Sequence, residues 1–241
     1  MRYAKNADSQ EKWTIAIKEA VASFLFVLLY FLLINPVAKQ NDGANMWVGG
    51  LIFTLVYFAI SWYYKPHASI HILPVVSFVK ALHQDTFKCF LLRVSGQVSG
   101  AFGAAFIVFY ASGGGFNDYN AMLQPLNPFL TGLFSGLLAQ VVYFLYLFFR
   151  LRRNKFSYFR FIIFSLGLGV LYFVASFLPG ITLLNPFGLL LDYMLNASAI
   201  HFWGLLTGVV VHVLVPILFI SGTHYFVVGF FLKKPGDDSH F

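Results

Sequence analysis

Apolar residues run along this chain in blocks far longer than a strand or a surface helix, and polar residues cluster in the short breaks between them. A bilayer hydrocarbon core of about 30 Å takes about 20 apolar residues to cross as a helix. That unit draws six spans, at about 14–34, 47–64, 86–111, 129–150, 158–178 and 200–232. Two apolar pieces are left over, at about 74–82 and about 186–195, and each rises only about 15 Å as a helix, half the membrane. Such a piece cannot cross. Non-helical backbone at that depth is tolerated only where protein or a water-filled cavity surrounds it. The pattern therefore predicts two re-entrant loops, each ending in a half-helix. Pro74 and Pro186 suit the first helical position, where a missing N–H has no intrahelical partner to lose, and Leu73 and Asn185 precede them at the cap.

The two halves resemble each other. "EAVASF" at Glu19–Phe24 is similar to "QVVYF" at Gln140–Phe144, and "QVSG" at Gln97–Gly100 takes the place that "LLTG" has at Leu205–Gly208. Each half reads as span, span, half-helix, span. An odd number of full crossings inverts the second copy, so the half-helices approach the midplane from opposite faces. Inverted repeats with broken helices are a signature of membrane transport proteins. The expectation is one transmembrane domain over residues 1–241, with repeats at about 14–111 and about 129–232.

Composition agrees: 59% of the residues are hydrophobic, 10% are charged and 30 are Phe, more apolar surface than a water-soluble domain can hide. The net charge of +7 raises nucleic acid or an anionic surface as partners, and its distribution decides against them. With both termini cytoplasmic, every Lys and Arg except Lys39 falls on the inner side, a positive-inside pattern. The basic residues thus read as topology for a multi-pass protein of the cell membrane, with no nucleic acid bound. The single Cys89 excludes an internal disulfide. The polar opening residues and the long apolar run behind them predict no cleavable leader.

The order and spacing of these motifs resemble the aquaporin and glycerol-channel family, the major intrinsic proteins. The resemblance rests on Glu19, Ser23 and Phe24 in the first span, "ASIHILPVVSF" before and within the first half-helix, "GQVSGA" in the third span, and "ITLLNPF" before the second half-helix. It implies an all-α membrane protein of six transmembrane helices and two re-entrant half-helices, a homotetramer with one pore per subunit, and no cofactor. It also implies that Glu19, with His71 and with Gln140 as its counterpart, supports the re-entrant loops.

Two departures from the family bear on function. Its paired asparagine-proline-alanine motifs appear here as Leu73-Pro74-Val75 and Asn185-Pro186-Phe187, so one of two midpoint amide donors is an apolar side chain. The arginine expected three residues after the second asparagine is Gly188, and spacing puts the remaining outer-filter positions at Phe53, Thr182 and Phe173 or a near neighbour. A constriction with few donors replaces a water molecule's hydrogen bonds poorly, and apolar constrictions close by dewetting. The expectation is a passive channel for small uncharged solutes, water or glycerol-like molecules among them, with low water flux at rest. The alternatives are a nonconducting member of the same fold and a proton-coupled transporter.

Other features take bland readings. An acid in mid-span costs about 2.5–3.5 kcal/mol to insert, so Glu19 needs buried partners. His67 and His71 lack a third ligand at metal spacing, His201 and His212 face the same objection, and no metal site is expected. No nucleophile with a base and orienter, no carboxylate pair and no phosphate loop is present, which argues against an enzyme. Gly96, Gly100 and Gly103, Gly132 and Gly136, and Gly204 and Gly208 read as faces for close helix crossings. "SGGGFNDYN" reads as the linker between halves, and Asp192 as a cap or vestibule residue. Asn196 heads a nominal glycosylation motif. Pro216 is expected to kink a long last span.

Overall fold

The computed structural model describes residues 9–34, 43–64, 71–83, 87–111, 128–151, 157–176 and 210–228. Among these residues the structure is all-helical. α1 covers Ser9–Leu29 and runs into a wider i→i+5 turn at Tyr30–Ile34; α2 is Gly43–Tyr64, α3 Pro74–His83 and α4 Phe87–Ala111. In the second half α5 is Pro128–Leu151, α6 Ser157–Ser176 and α7 Val215–Val227, the last entered through another wide turn at Val210–Leu214. Among the described residues three stretches are long and apolar enough to cross a membrane: Trp13–Leu33, Trp47–Tyr64 and Lys88–Ala111. Gly132–Phe148, Ile162–Val174 and Val215–Val227 are shorter apolar helices.

The outward faces are as apolar as the core. Trp13, Ile17, Val21 and Leu25 make an exposed stripe down α1, Leu51 and Leu55 continue one on α2, and Ile162, Leu166, Val170 and Val174 repeat it on α6. The i, i+4 spacing places each set on one side of its helix. Water penalises such faces; lipid does not.

Small residues set the helix pairing. α1 lies against α4, where a Cβ on Gly96 would collide with the Ala16 carbonyl oxygen and one on Gly100 with that of Ala20. α5 lies against α7, where a Cβ on Gly136 would stand 2.7 Å from the Phe219 ring. In each half of the chain the first described helix, α1 or α5, thus packs on the last, α4 or α7. The halves meet where α2 crosses α6, and a Cβ on Gly50 would be 3.2 Å from the Gly169 carbonyl oxygen. The close approach of Gly50 to Gly169 adds a crossing that the glycine pattern of single helices does not suggest. Gly204 and Gly208 lie outside the described residues.

Pro216 sits in the first turn of α7, directly after the wide turn Val210–Leu214. A proline inside a helix has no N–H to donate and crowds the carbonyl four residues back. The widened turn before it takes up that misfit, so the chain stays helical from Leu214 into α7.

Candidate functional site

The half-length helix α3 starts at Pro74, with buried Leu73 before it. Leu73 has no side-chain acceptor for a cap, but its carbonyl accepts from the N–H of Val76 and of Ser77, both at 3.1 Å. The turn ahead of α3 is tight: the Leu73 N–H donates to the His71 carbonyl, and Ile72 between them has φ 61°. A β-branched residue rarely adopts left-handed φ; such a conformation costs about 1–3 kcal/mol and persists only where its surroundings over-determine it.

Here they do, through Glu19. The Glu19 carboxylate accepts from the backbone N–H of His71 at 3.1 Å and of Ile72 at 3.3 Å. From α4, Arg93 Nη1 donates to Oε1 at 2.8 Å and Gln97 Nε2 to Oε2 at 3.1 Å. One turn along α1, Ser23 Oγ donates to the Ile72 carbonyl at 3.2 Å. Glu19 and Ser23, like Arg93 and Gln97, are four residues apart and so share a helix face. The glycine crossing of α1 on α4 brings those two faces together behind the turn. Glu19, Ser23 and Gln97 have no exposed surface, and Arg93 is buried.

The network continues into α3. Ser77 Oγ accepts from Gln97 Nε2 at 2.7 Å and pairs with His71 Nδ1 at 3.1 Å. His71 thus holds the turn by its backbone N–H and the first turn of α3 by its ring. No group of His, Cys, Asp and Glu suited to a metal occurs among the described residues.

Arg93 has a part in the site beyond the inner-face charge pattern in which the sequence places it: it is buried within α4 and paired with Glu19. The available signal was its place four residues before Gln97 inside an apolar span, where an ionisable residue is functional by default. Ser77, inside the stretch that leads into α3, and Tyr57, which no motif singles out, also belong to the site.

The residues expected at the filter and midpoint that fall among the described residues are placed as follows. Val75 is half-buried between the two core clusters, one around the turn and the other around Val79, Ala139, Tyr143 and Ile220. Phe53 is fully buried, and the ring stacked on it is that of Tyr172, 5.1 Å away with planes 2° apart. Phe173 instead stacks on Trp47 at 3.6 Å. A helix turns about 100° per residue, so Tyr172 points inward where its neighbour points aside. Asn185, Pro186, Phe187, Thr182 and Gly188 lie outside the described residues, as do His67, His201, Asp192 and Asn196.

Gln140 occupies α5 as Glu19 occupies α1, but its Nε2 donates to Thr223 Oγ1 of α7 at 2.9 Å. Nearby, buried Tyr143 pairs its hydroxyl with His224 Nδ1 at 3.0 Å. Hydrogen bonds between membrane helices average about 0.6 kcal/mol by double-mutant cycles. A Gln140→Leu and Thr223→Val cycle, followed by unfolding of the detergent-solubilised protein, is expected to give coupling of about that size.

The chain matches no known protein-family model and no curated protein.

Proposed function

We propose that the chain is a divergent aquaporin-like channel of the cell membrane, a passive path for small uncharged solutes with little water flux at rest. The observation that carries this reading is the turn at His71–Leu73, buried in an apolar helical protein and followed by a helix of 10 residues. A helix of that length is ordinary in a soluble protein, but between outward faces as apolar as these it reaches only about half of a bilayer. There a half-helix puts its positive N-terminal end near the midplane, where it favours neutral passengers over cations. The reading includes six crossings in an inverted repeat, both termini cytoplasmic, Asn185 facing Leu73 across the midpoint, and a homotetramer in the lipid bilayer. The repeated pairing of α1 with α4 and α5 with α7 supports the repeat. It needs no cofactor and no enzymatic step.

Glu19 supports this reading over proton-coupled transport. Its carboxylate already accepts from two backbone N–H groups, Arg93 and Gln97, so both oxygens are committed to the turn and to α4. A proton carrier in that place would have to break the turn with each cycle.

Purified protein in liposomes, challenged with osmotic gradients of water, glycerol and other small neutral solutes, tests the proposal; flux no higher than in empty liposomes for every solute would overturn it. Leu73→Asn is expected to raise water permeability in the same assay, since it returns a hydrogen-bond donor to the midpoint. A fall would show that the barrier lies elsewhere.

The second reading, a nonconducting member of the same fold, is favoured by one observation. The carbonyls of the turn are already used: that of His71 accepts from Tyr57 and from Leu73, that of Ile72 from Ser23, and that of Leu73 from Val76 and Ser77. A file of water passing the turn would find few free acceptors.

A further inference from the structure

Three rings stand in a column beside the turn. Tyr57 and Phe53, one helical turn apart on α2, lie 6.3 Å apart with planes 14° from parallel, and Phe53 in turn stacks on Tyr172 of α6. Phe26 of α1 closes the side of the column, edge-on to Phe53 at 5.3 Å and to Tyr57 at 6.3 Å. Both ends are tied. At one end the Tyr57 hydroxyl donates to the His71 carbonyl at 3.4 Å, and at the other the Tyr30 ring packs edge-on to Tyr172 at 6.3 Å from the wide turn that ends α1. All four rings of the column and its side are buried, so aromatic carbon fills the space bounded by α1, α2, α6 and the turn.

Resting on the channel reading, we propose that this column is a shutter: it seals the route past the turn, and the route opens when Tyr172 and Phe53 part across the α2–α6 seam. The geometry suits a movable seal. The two stacked rings come from different helices and from opposite halves of the chain. The contact between them is a ring face with no hydrogen bond across it. Tyr57 also donates to the His71 carbonyl of the turn, so the same ring that blocks the space occupies an acceptor that water would use. Passengers in the closed state are restricted to what slips between rings, and polar solutes cross only on opening.

The test is water and glycerol flux in liposomes for the wild type, Phe53→Ala, Tyr172→Ala, Tyr57→Phe and, as a control on an outward position, Leu218→Ala. Removing one ring–ring contact is expected to shift the closed-to-open ratio and raise flux by roughly three- to tenfold. Tyr57→Phe, which removes one of the two donors to the His71 carbonyl and keeps the ring, should raise water flux by less, and Leu218→Ala should match the wild type. Should either alanine variant fail to fold, Phe53→Leu and Tyr172→Leu keep more of the volume and break the same stack with the same readout. Flux unchanged in folded Phe53 and Tyr172 variants while Leu73→Asn conducts would overturn the shutter and leave the channel standing. No flux from any variant, Leu73→Asn included, would overturn both.

Discussion

Arg93→Met is expected to destabilise the protein by about 3–5 kcal/mol, because it leaves the Glu19 carboxylate buried without its cation. Glu19 has no exposed surface and lies 2.8 Å from the guanidinium. Methionine matches much of the arginine stem in volume, so lost packing is a minor part of the effect. The remaining donors cannot replace the charge, since Gln97 and the two backbone N–H groups bring only dipoles. Glu19→Gln alone takes the carboxylate charge away from the buried guanidinium and should also destabilise. The double variant Glu19→Gln/Arg93→Met removes both charges and keeps an acceptor for the His71 and Ile72 N–H groups. It should therefore be more stable than the two single losses added together predict, by about 2 kcal/mol or more. Thermal or denaturant unfolding of the four proteins in one detergent measures the cycle. Additive losses would mean that the pair is not a unit, and that the turn is held by the backbone bonds alone.

Among the described residues several helix positions were legible in the sequence, because long apolar runs bounded by polar breaks set where each helix starts and stops. α3 begins at Pro74, and α2 ends at Tyr64, where the apolar runs place them. Glu19 was legible for a related reason: an acid inside an apolar span must find donors, and the nearest backbone with N–H groups to spare is a turn that cannot be helical. Other parts of the site depend on how helices rotate and cross, which no run of residue types records. Arg93 reads as one more basic residue near the inner face until the Gly96 and Gly100 crossing turns it toward α1. Tyr172 and Phe173 are indistinguishable by spacing, and only the setting of α6 against Gly50 decides which ring meets Phe53. The left-handed Ile72 was hidden as well, since its side chain argues against the conformation its hydrogen bonds impose.

The crossing that sets these rotations yields the other large effect. Gly100→Val is expected to destabilise the protein by about 3 kcal/mol, at the upper end for overpacking. A Cβ there would collide with the Ala20 carbonyl oxygen and stand 2.8 Å from the Ala20 carbonyl carbon and 2.9 Å from the Phe24 nitrogen. These are backbone atoms in the middle of α1, so no rotamer change clears them and the two helices must separate. Separation also lengthens the bonds from Arg93 and Gln97 to Glu19, so steric damage at the crossing spreads to the turn it positions. Gly222→Ala on α7 provides the contrast, because its Cβ would meet nothing within 4 Å. That change should stabilise the protein by up to about 1 kcal/mol through helix propensity. Unfolding of both variants beside the wild type separates the effects. If Gly100→Val proves as stable as the wild type, α1 and α4 do not cross as closely as the glycine face requires, and the Glu19 network loses its physical basis.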